Sequence, residues 1–274
     1  MNTIEPDGIK GSKSALSSIQ HICAEENYSN GKRNGLAEIW DKDFKSTYTY
    51  KEGVLNGISK LICIINEKEL PCGETNYKNG VESGLSKSYG EGGKQTSIFI
   101  NTGGISESEI NVATKNLISD YDAIEGITWY KDLSVFVPNG TGTGIIAYLG
   151  KLKNNIKSDL ISFRFKVKYK ADSWLFIQSF IVAADDQIFE NNYIEFKRDN
   201  NSRGITEWYD KQVLDDDLIM IKAIIKSKKA IIRFKGNNNY EDYTITTQEK
   251  NGLKNVLDAY ELLGGVVIDG ASIN

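Results

Sequence analysis

Histidine is almost absent: His21 is the only one in 274 residues. That excludes metal sites built from several imidazoles and makes any Ser-His-Asp or Cys-His arrangement depend on one residue. Cys23 is the nearest nucleophile, and on a strand it would share a face with His21. An activated pair also needs an orienting partner and a cleft, and the sequence marks neither. Cysteine is scarce too. Cys23, Cys63 and Cys72 are odd in number and form no CxxC pair. This argues against a disulfide framework and for reduced thiols in a reducing compartment, with a Cys63–Cys72 bridge as the one pairing left open. No apolar run approaches about 18 residues, so no membrane-spanning helix is expected. The N-terminal stretch lacks the apolar centre of a signal peptide, and a cytoplasmic protein is the expectation. Neither sign of charge dominates: 33 basic and 37 acidic residues give a net charge of −4 and no global pull on nucleic acid. Prolines number only three against 25 glycines, which points to tight turns rather than rigid linkers.

What is present is a repeat. Tyr28, Gly31 and Gly35 are spaced as Y-x-x-G-x-x-x-G, and the spacing returns at Tyr50, Gly53 and Gly57 and at Tyr77, Gly80 and Gly84. The copies begin 22 and then 27 residues apart, a period typical of small stacked units. Asn30-Gly31 and Asn79-Gly80 are hairpin-turn dipeptides because both residues tolerate positive φ, and Glu52-Gly53 is a weaker version. The second glycine of each copy is expected where neighbouring backbone or rings pack closely. A degraded fourth copy is expected at Tyr89 and Gly92.

These units resemble MORN repeats, above all the short bacterial variant with Y-x-N-G-K-x-x-G at its centre. Tyr28, Asn30, Gly31, Lys32 and Gly35 match it best, and the resemblance covers about residues 25–95. It implies an elongated sheet of β-hairpins that serves as a scaffold or recognition surface. Some bacterial relatives are antitoxin or immunity components, which act by binding a partner. The acidic residues among the repeats, such as Glu25, Glu26 and Glu38, offset the lysines, so attraction to an anionic membrane is expected to be weak.

The remainder changes character. Residues 1–24 form a lead-in, 25–100 the repeat domain and 101–122 a connector with a short helix capped at Ser106. Residues 123–265 read as an α+β domain, with a tail at 266–274. Strands are expected at Ile127, Leu133, Ile145, Leu160, Ser173, Tyr193, Gly204, Ala230 and Tyr243. One helix opens at Asp215–Asp217, and another at Thr246 with Glu249 in the capping-box position. The expected fold is therefore mainly β / α+β, with an antiparallel sheet carrying two helices. Fragments such as "KADSWLFIQSF" and "SKKAIIRF" resemble a domain of bacterial and phage proteins that has no established activity.

The chemistry-bearing motifs are thin. "NGTGTG" at 139–144 lacks the Gly-Lys-Ser/Thr of a phosphate loop. "DNNSRG" at 199–204 puts Arg203 where a calcium loop needs oxygen. Asp185-Asp186 and Asp215–Asp217 read as a turn and a helix start. The sharpest charge feature is the row Arg164, Lys166, Lys168 and Lys170 on one face of one strand. Trp208 and Tyr209 are candidate interface anchors. No catalytic residue, metal or cofactor is assigned. The expected function is a non-enzymatic protein-binding factor of the antitoxin, immunity or inhibitor type. The alternatives are a binder of an anionic ligand or nucleic acid through the basic strand, and a hydrolase with an unrecognised site.

Overall fold

A computed structural model describes residues 9–10, 23–133, 142–153, 158–202 and 204–265. Two compact units account for its contacts, one of residues Met1–Ser106 with Asn154–Leu160 and one of Glu107–Lys153 with Ile161–Asn274. His21, Arg203, residues 139–141 of the Asn139–Gly144 motif and the strand expected from Leu133, apart from Leu133 itself, lie outside the described residues.

The first unit is an antiparallel meander. Its strands are β1 (Ile9–Lys10), β2 (Cys23–Ser29), β3 (Lys32–Trp40), β4 (Phe44–Lys51), β5 (Val54–Leu55), β6 (Gly57–Ile65), β7 (Lys68–Lys78), β8 (Val81–Tyr89) and β9 (Gln95–Thr102). They lie side by side in chain order, with the short β5 against β4. Three of its hairpin tips are the first glycines of the copies, each preceded by another positive-φ residue: Asn30-Gly31, Glu52-Gly53 and Asn79-Gly80. That pairing of conformations is what a two-residue turn needs to follow strand twist.

Successive tips are tied together. The Gly53 N–H donates to the carbonyl of Arg33 at 2.8 Å, and the Gly80 N–H donates to that of Leu55 at 2.7 Å. Arg33 and Leu55 each stand two residues past the first glycine of the preceding copy, so one rule joins each unit to the next. The second glycines, Gly35, Gly57 and Gly84, also have positive φ. Their nearest neighbours are not rings. A Cβ on Gly35, Gly57 or Gly84 would meet the side chain of Asn27, Thr49 or Asn76, at 3.8, 3.2 and 3.4 Å. Those three residues directly precede the repeat tyrosines. The Asn27 amide donates to the carbonyl of Leu36 at 2.7 Å, and the Thr49 hydroxyl donates to that of Ile58 at 3.4 Å. The motif thus requires a particular backbone conformation, and in the first two copies a side chain also bridges to the residue after the second glycine.

The fourth copy is not where its tyrosine suggested. Tyr50 pairs with Gly35 and Tyr77 with Gly57. The residue in that register against Gly84 is Asn101, and three positions later stands Gly104, at φ +77. Tyr89 instead ends β8, at the strand end remote from the Gly31, Gly53 and Gly80 tips. A second correction concerns the thiols. Cys63 and Cys72 are bonded, with Cα atoms 5.8 Å apart, and Cys23 alone is free. Cys63 pairs with Leu70, while Cys72 is the extra residue at a bulge beside Pro71 and Gly73. The bulge brings the two side chains to one site across the β6–β7 hairpin.

The second unit is α+β. Its larger sheet contains β10 (Leu117–Asp122), β11 (Ile127–Asp132), β12 (Gly144–Leu152), β13 (Leu160–Ala171), β16 (Lys197–Asn201) and β17 (Gly204–Gln212). Their order is β10-β11-β12-β13-β17-β16. A four-stranded sheet follows the order β15 (Gln187–Asn191), β14 (Ser179–Ala184), β18 (Ala230–Lys235), β19 (Tyr240–Thr244). The helices are α1 (Glu107–Ala113), α2 (Asp215–Lys226) and α3 (Thr247–Leu262). Helix α1 is shorter than expected because β10 occupies the rest of the connector. Helix α3 packs on β11 and β12, and α2 on α3 and β14. Phe163, Phe165 and Val167 of β13 are wholly buried, as are Phe180, Ile232, Phe234 and Tyr260. The capping box of α3 is present. Glu249 accepts from the Thr246 N–H at 2.8 Å and also from the Ile145 N–H at 3.0 Å, so one carboxylate starts the helix and anchors it to β12. Two expected strands begin late. β14 starts at Ser179 rather than Ser173, and β16 at Lys197 rather than Tyr193.

Candidate binding surfaces

Two surfaces stand out, one in each unit, and each follows from how its strands are held. In the first unit, side chains alternate across a sheet, and within this unit the described residues supply no second layer to cover it. One face carries Leu36 and Ile58, the residues that follow the second glycines, at 49% and 51% exposure. Thr49, paired with Leu36, stands between them. The same repeat position in the third copy is Leu85, paired with Ile100. Ion pairs Lys45–Glu38 at 3.3 Å and Lys60–Glu74 at 3.9 Å bridge neighbouring strands. The tyrosine side is polar at its edge. Tyr28 Oη donates to Glu26 at 2.6 Å, Glu26 pairs with Arg33 at 2.9 Å, and the Arg33 guanidinium lies 5.3 Å above the Tyr50 ring.

In the second unit, an acidic residue engages the start of the basic row. Asp210 of β17 pairs in register with Lys166. Its carboxylate takes Arg164 at 2.9 Å, Lys166 at 3.2 Å and the Tyr148 hydroxyl at 2.5 Å. Burial, reinforced by Asp210, raises the Tyr148 phenol well above its ordinary value, so it stays protonated and donating. Lys168 and Lys170 continue the row, and all four basic side chains are half-buried. Burial lowers the Lys168 ammonium, and the charges of Lys166 and Lys170 lower it further. Trp208 sits opposite Lys168 in the register. Tyr209 faces the other way, against Phe165, Phe180 and Phe196, and belongs to the core.

A feature with no forewarning in the sequence is Glu207. It is 0% exposed and accepts the N–H groups of Leu175, Phe176 and Ile177 at 2.8–2.9 Å. Arg198 Nε donates to it at 2.9 Å, and the same guanidinium donates to the Ile177 carbonyl at 3.0 Å. This constellation pulls residues 174–178 out of the strand their apolar run suggested. Beside them lies a cleft of ≈ 370 Å³ lined by Trp174, Tyr169, Tyr240, Asn238, Asn239 and Glu241 among others.

Among the described residues, no group of three or more His, Cys, Asp or Glu side chains converges as a metal site. No described helix is long and apolar enough to cross a membrane. Asp185 accepts the N–H groups of Lys228 and Lys229, both at 2.9 Å, and Asp217 accepts that of Leu214 at 2.8 Å and pairs with Lys211 at 2.7 Å. The two acidic clusters are therefore engaged as a turn and a helix start. The chain matches none of the family models, curated proteins or solved structures with which it was compared.

Proposed function

We propose that this chain is a non-enzymatic protein-binding factor of the antitoxin, immunity or inhibitor kind, whose first unit is a MORN-like array that occludes a partner protein. One observation carries the reading: the repeat places Leu36 and Ile58, each about half exposed, in one row of a sheet that has no second layer within its unit. Regularly spaced aliphatic side chains on a stiff ladder suit recognition of a protein surface more than a reaction. Asp210 engages both Arg164 and Lys166 and offsets one of their two charges, which weighs against the anion-binding alternative.

The cytoplasmic expectation rested on the N-terminal stretch and on reduced thiols, and the Cys63–Cys72 bond withdraws the second of these supports. An oxidising compartment suits the bond better, and an immunity or inhibitor protein can act there. The test of function is affinity cross-linking of the full chain in its host, beside the double variant Leu36→Lys/Ile58→Lys. Loss of one defined cross-linked protein in the variant supports the reading, and an unchanged set of cross-links removes the array from the mechanism.

A further inference from the structure

The cleft between residues 173–175 and the β18–β19 turn is built with unusual investment for a surface feature. Phe176 adopts φ +55, a left-handed conformation uncommon for a bulky residue. The buried Glu207 holds it there through three consecutive backbone N–H groups, and Arg198 braces the same segment with its guanidinium 5.7 Å over the Phe176 ring. The facing wall is fixed to it. The Gln178 N–H donates to the Lys235 carbonyl at 2.9 Å, and the Gln178 side chain reaches Asn237. Gly236 lies so close that an added Cβ would stand 2.0 Å from the Leu175 carbonyl oxygen. On that wall, Arg233 lies 4.2 Å over the Tyr240 ring and is gripped by Asp242 through two bonds of 2.7 Å. Strained backbone and a buried charge spent on presenting exposed groups are marks of a site rather than of a core.

The lining states the ligand chemistry. Trp174, Tyr169 and Tyr240 supply aromatic rings, Asn238 and Asn239 supply amides, and Glu241 supplies a carboxylate. Among the described lining residues none is a lysine, arginine or histidine, and Arg233 over the Tyr240 ring is already paired with Asp242, so an anion would meet Glu241 without a free compensating charge. A trimethylammonium group would suit the rings but would leave the amides and hydroxyls with nothing to bond. A pyranose uses both kinds of surface, its C–H face on a ring and its hydroxyls as donors and acceptors to amide and carboxylate. We propose that this cleft is a binding subsite for a neutral sugar ring. It stands independently of the array's role.

The test is saturation-transfer NMR on the full chain with glucose, galactose, mannose, N-acetylglucosamine and their disaccharides, with choline and inorganic phosphate as cationic and anionic probes. For a ligand of about twelve heavy atoms, the expected affinity is on the order of millimolar. Trp174→Ala and Tyr240→Ala should each weaken it by about tenfold through loss of ring contact. Tyr240 is 58% exposed, so its replacement reports on binding even if the Trp174 variant fails to fold. Glu241→Gln keeps the shape and should weaken the sugar severalfold. The proposal is overturned if no sugar shows saturable transfer, if sugar binding survives both aromatic replacements, or if choline or phosphate binds in preference.

Discussion

Gly57 stands with its missing Cβ only 3.2 Å from Thr49 Cβ, at φ +122. Gly31 has φ +72 and open space around it. The two glycines of the motif therefore serve different ends, and replacement separates them. Gly31→Ala is expected to cost about 1 kcal/mol from the left-handed backbone alone. Gly57→Ala should cost about 2 kcal/mol or more, since it adds a contact to a conformation further from any that L residues prefer. Urea unfolding of the full chain, followed by hydrogen exchange at β4 and β6, measures both. Equal costs would contradict this assignment.

Glu207→Gln should destabilise the second unit by about 3 kcal/mol, because it leaves Arg198 beside a neutral group and turns one acceptor oxygen into a donor. The local readout is specific: amide exchange at Leu175, Phe176 and Ile177 should accelerate more than at β13. Uniform acceleration would make Glu207 an ordinary core residue.

Native protein should present one reactive thiol, Cys23, and reduced, unfolded protein three. Cys63→Ser should lower stability by about 2–3 kcal/mol through the entropy of the short loop it releases. Alkylation and intact mass settle the count directly; three reactive thiols in protein taken from its host would mean that the bond does not form there.

Tyr243 donates to Glu249 at 3.0 Å, and burial, followed by the Glu249 charge, pushes its phenol up to about 12 from an ordinary 10.0. The folded value lies above the unfolded one, so this group's contribution is complete below pH 10 and is lost as the pH climbs towards 12. Stability measured across that window should fall, and Tyr243→Phe should make the fall shallower. An identical slope in the variant would remove Tyr243 from the linkage.

Legibility from sequence followed the range of the interactions. Asn30-Gly31 and Asn79-Gly80 were readable because two adjacent residues determine a turn. Thr246 and Glu249 were readable for the same reason, three residues apart. Asn27 and Thr49 carry no mark in the sequence because their shared task, bridging to the residue past the second glycine, does not require a shared residue type. Asn101 holds the fourth register position without being tyrosine, and only strand pairing reveals it. Cys63 and Cys72 straddle the Asn66-Glu67 turn, a signal that was present, but the bulge that aligns them was not. The least legible element was the cleft. Glu207 alternates along β17 like any surface residue, and its partners lie about thirty positions earlier in a run that reads as buried strand. Asp210 likewise engages Arg164 and Lys166 from a strand more than forty residues away.

Because the second and third copies each grip their predecessor through the same carbonyl, two positions beyond the turn glycine, neither joint is privileged over the other. Adding or deleting one copy would move the far edge by two strand spacings, about 9.6 Å, and leave the existing joints intact. The footprint of such a surface changes in fixed increments, like the rungs of an extending ladder.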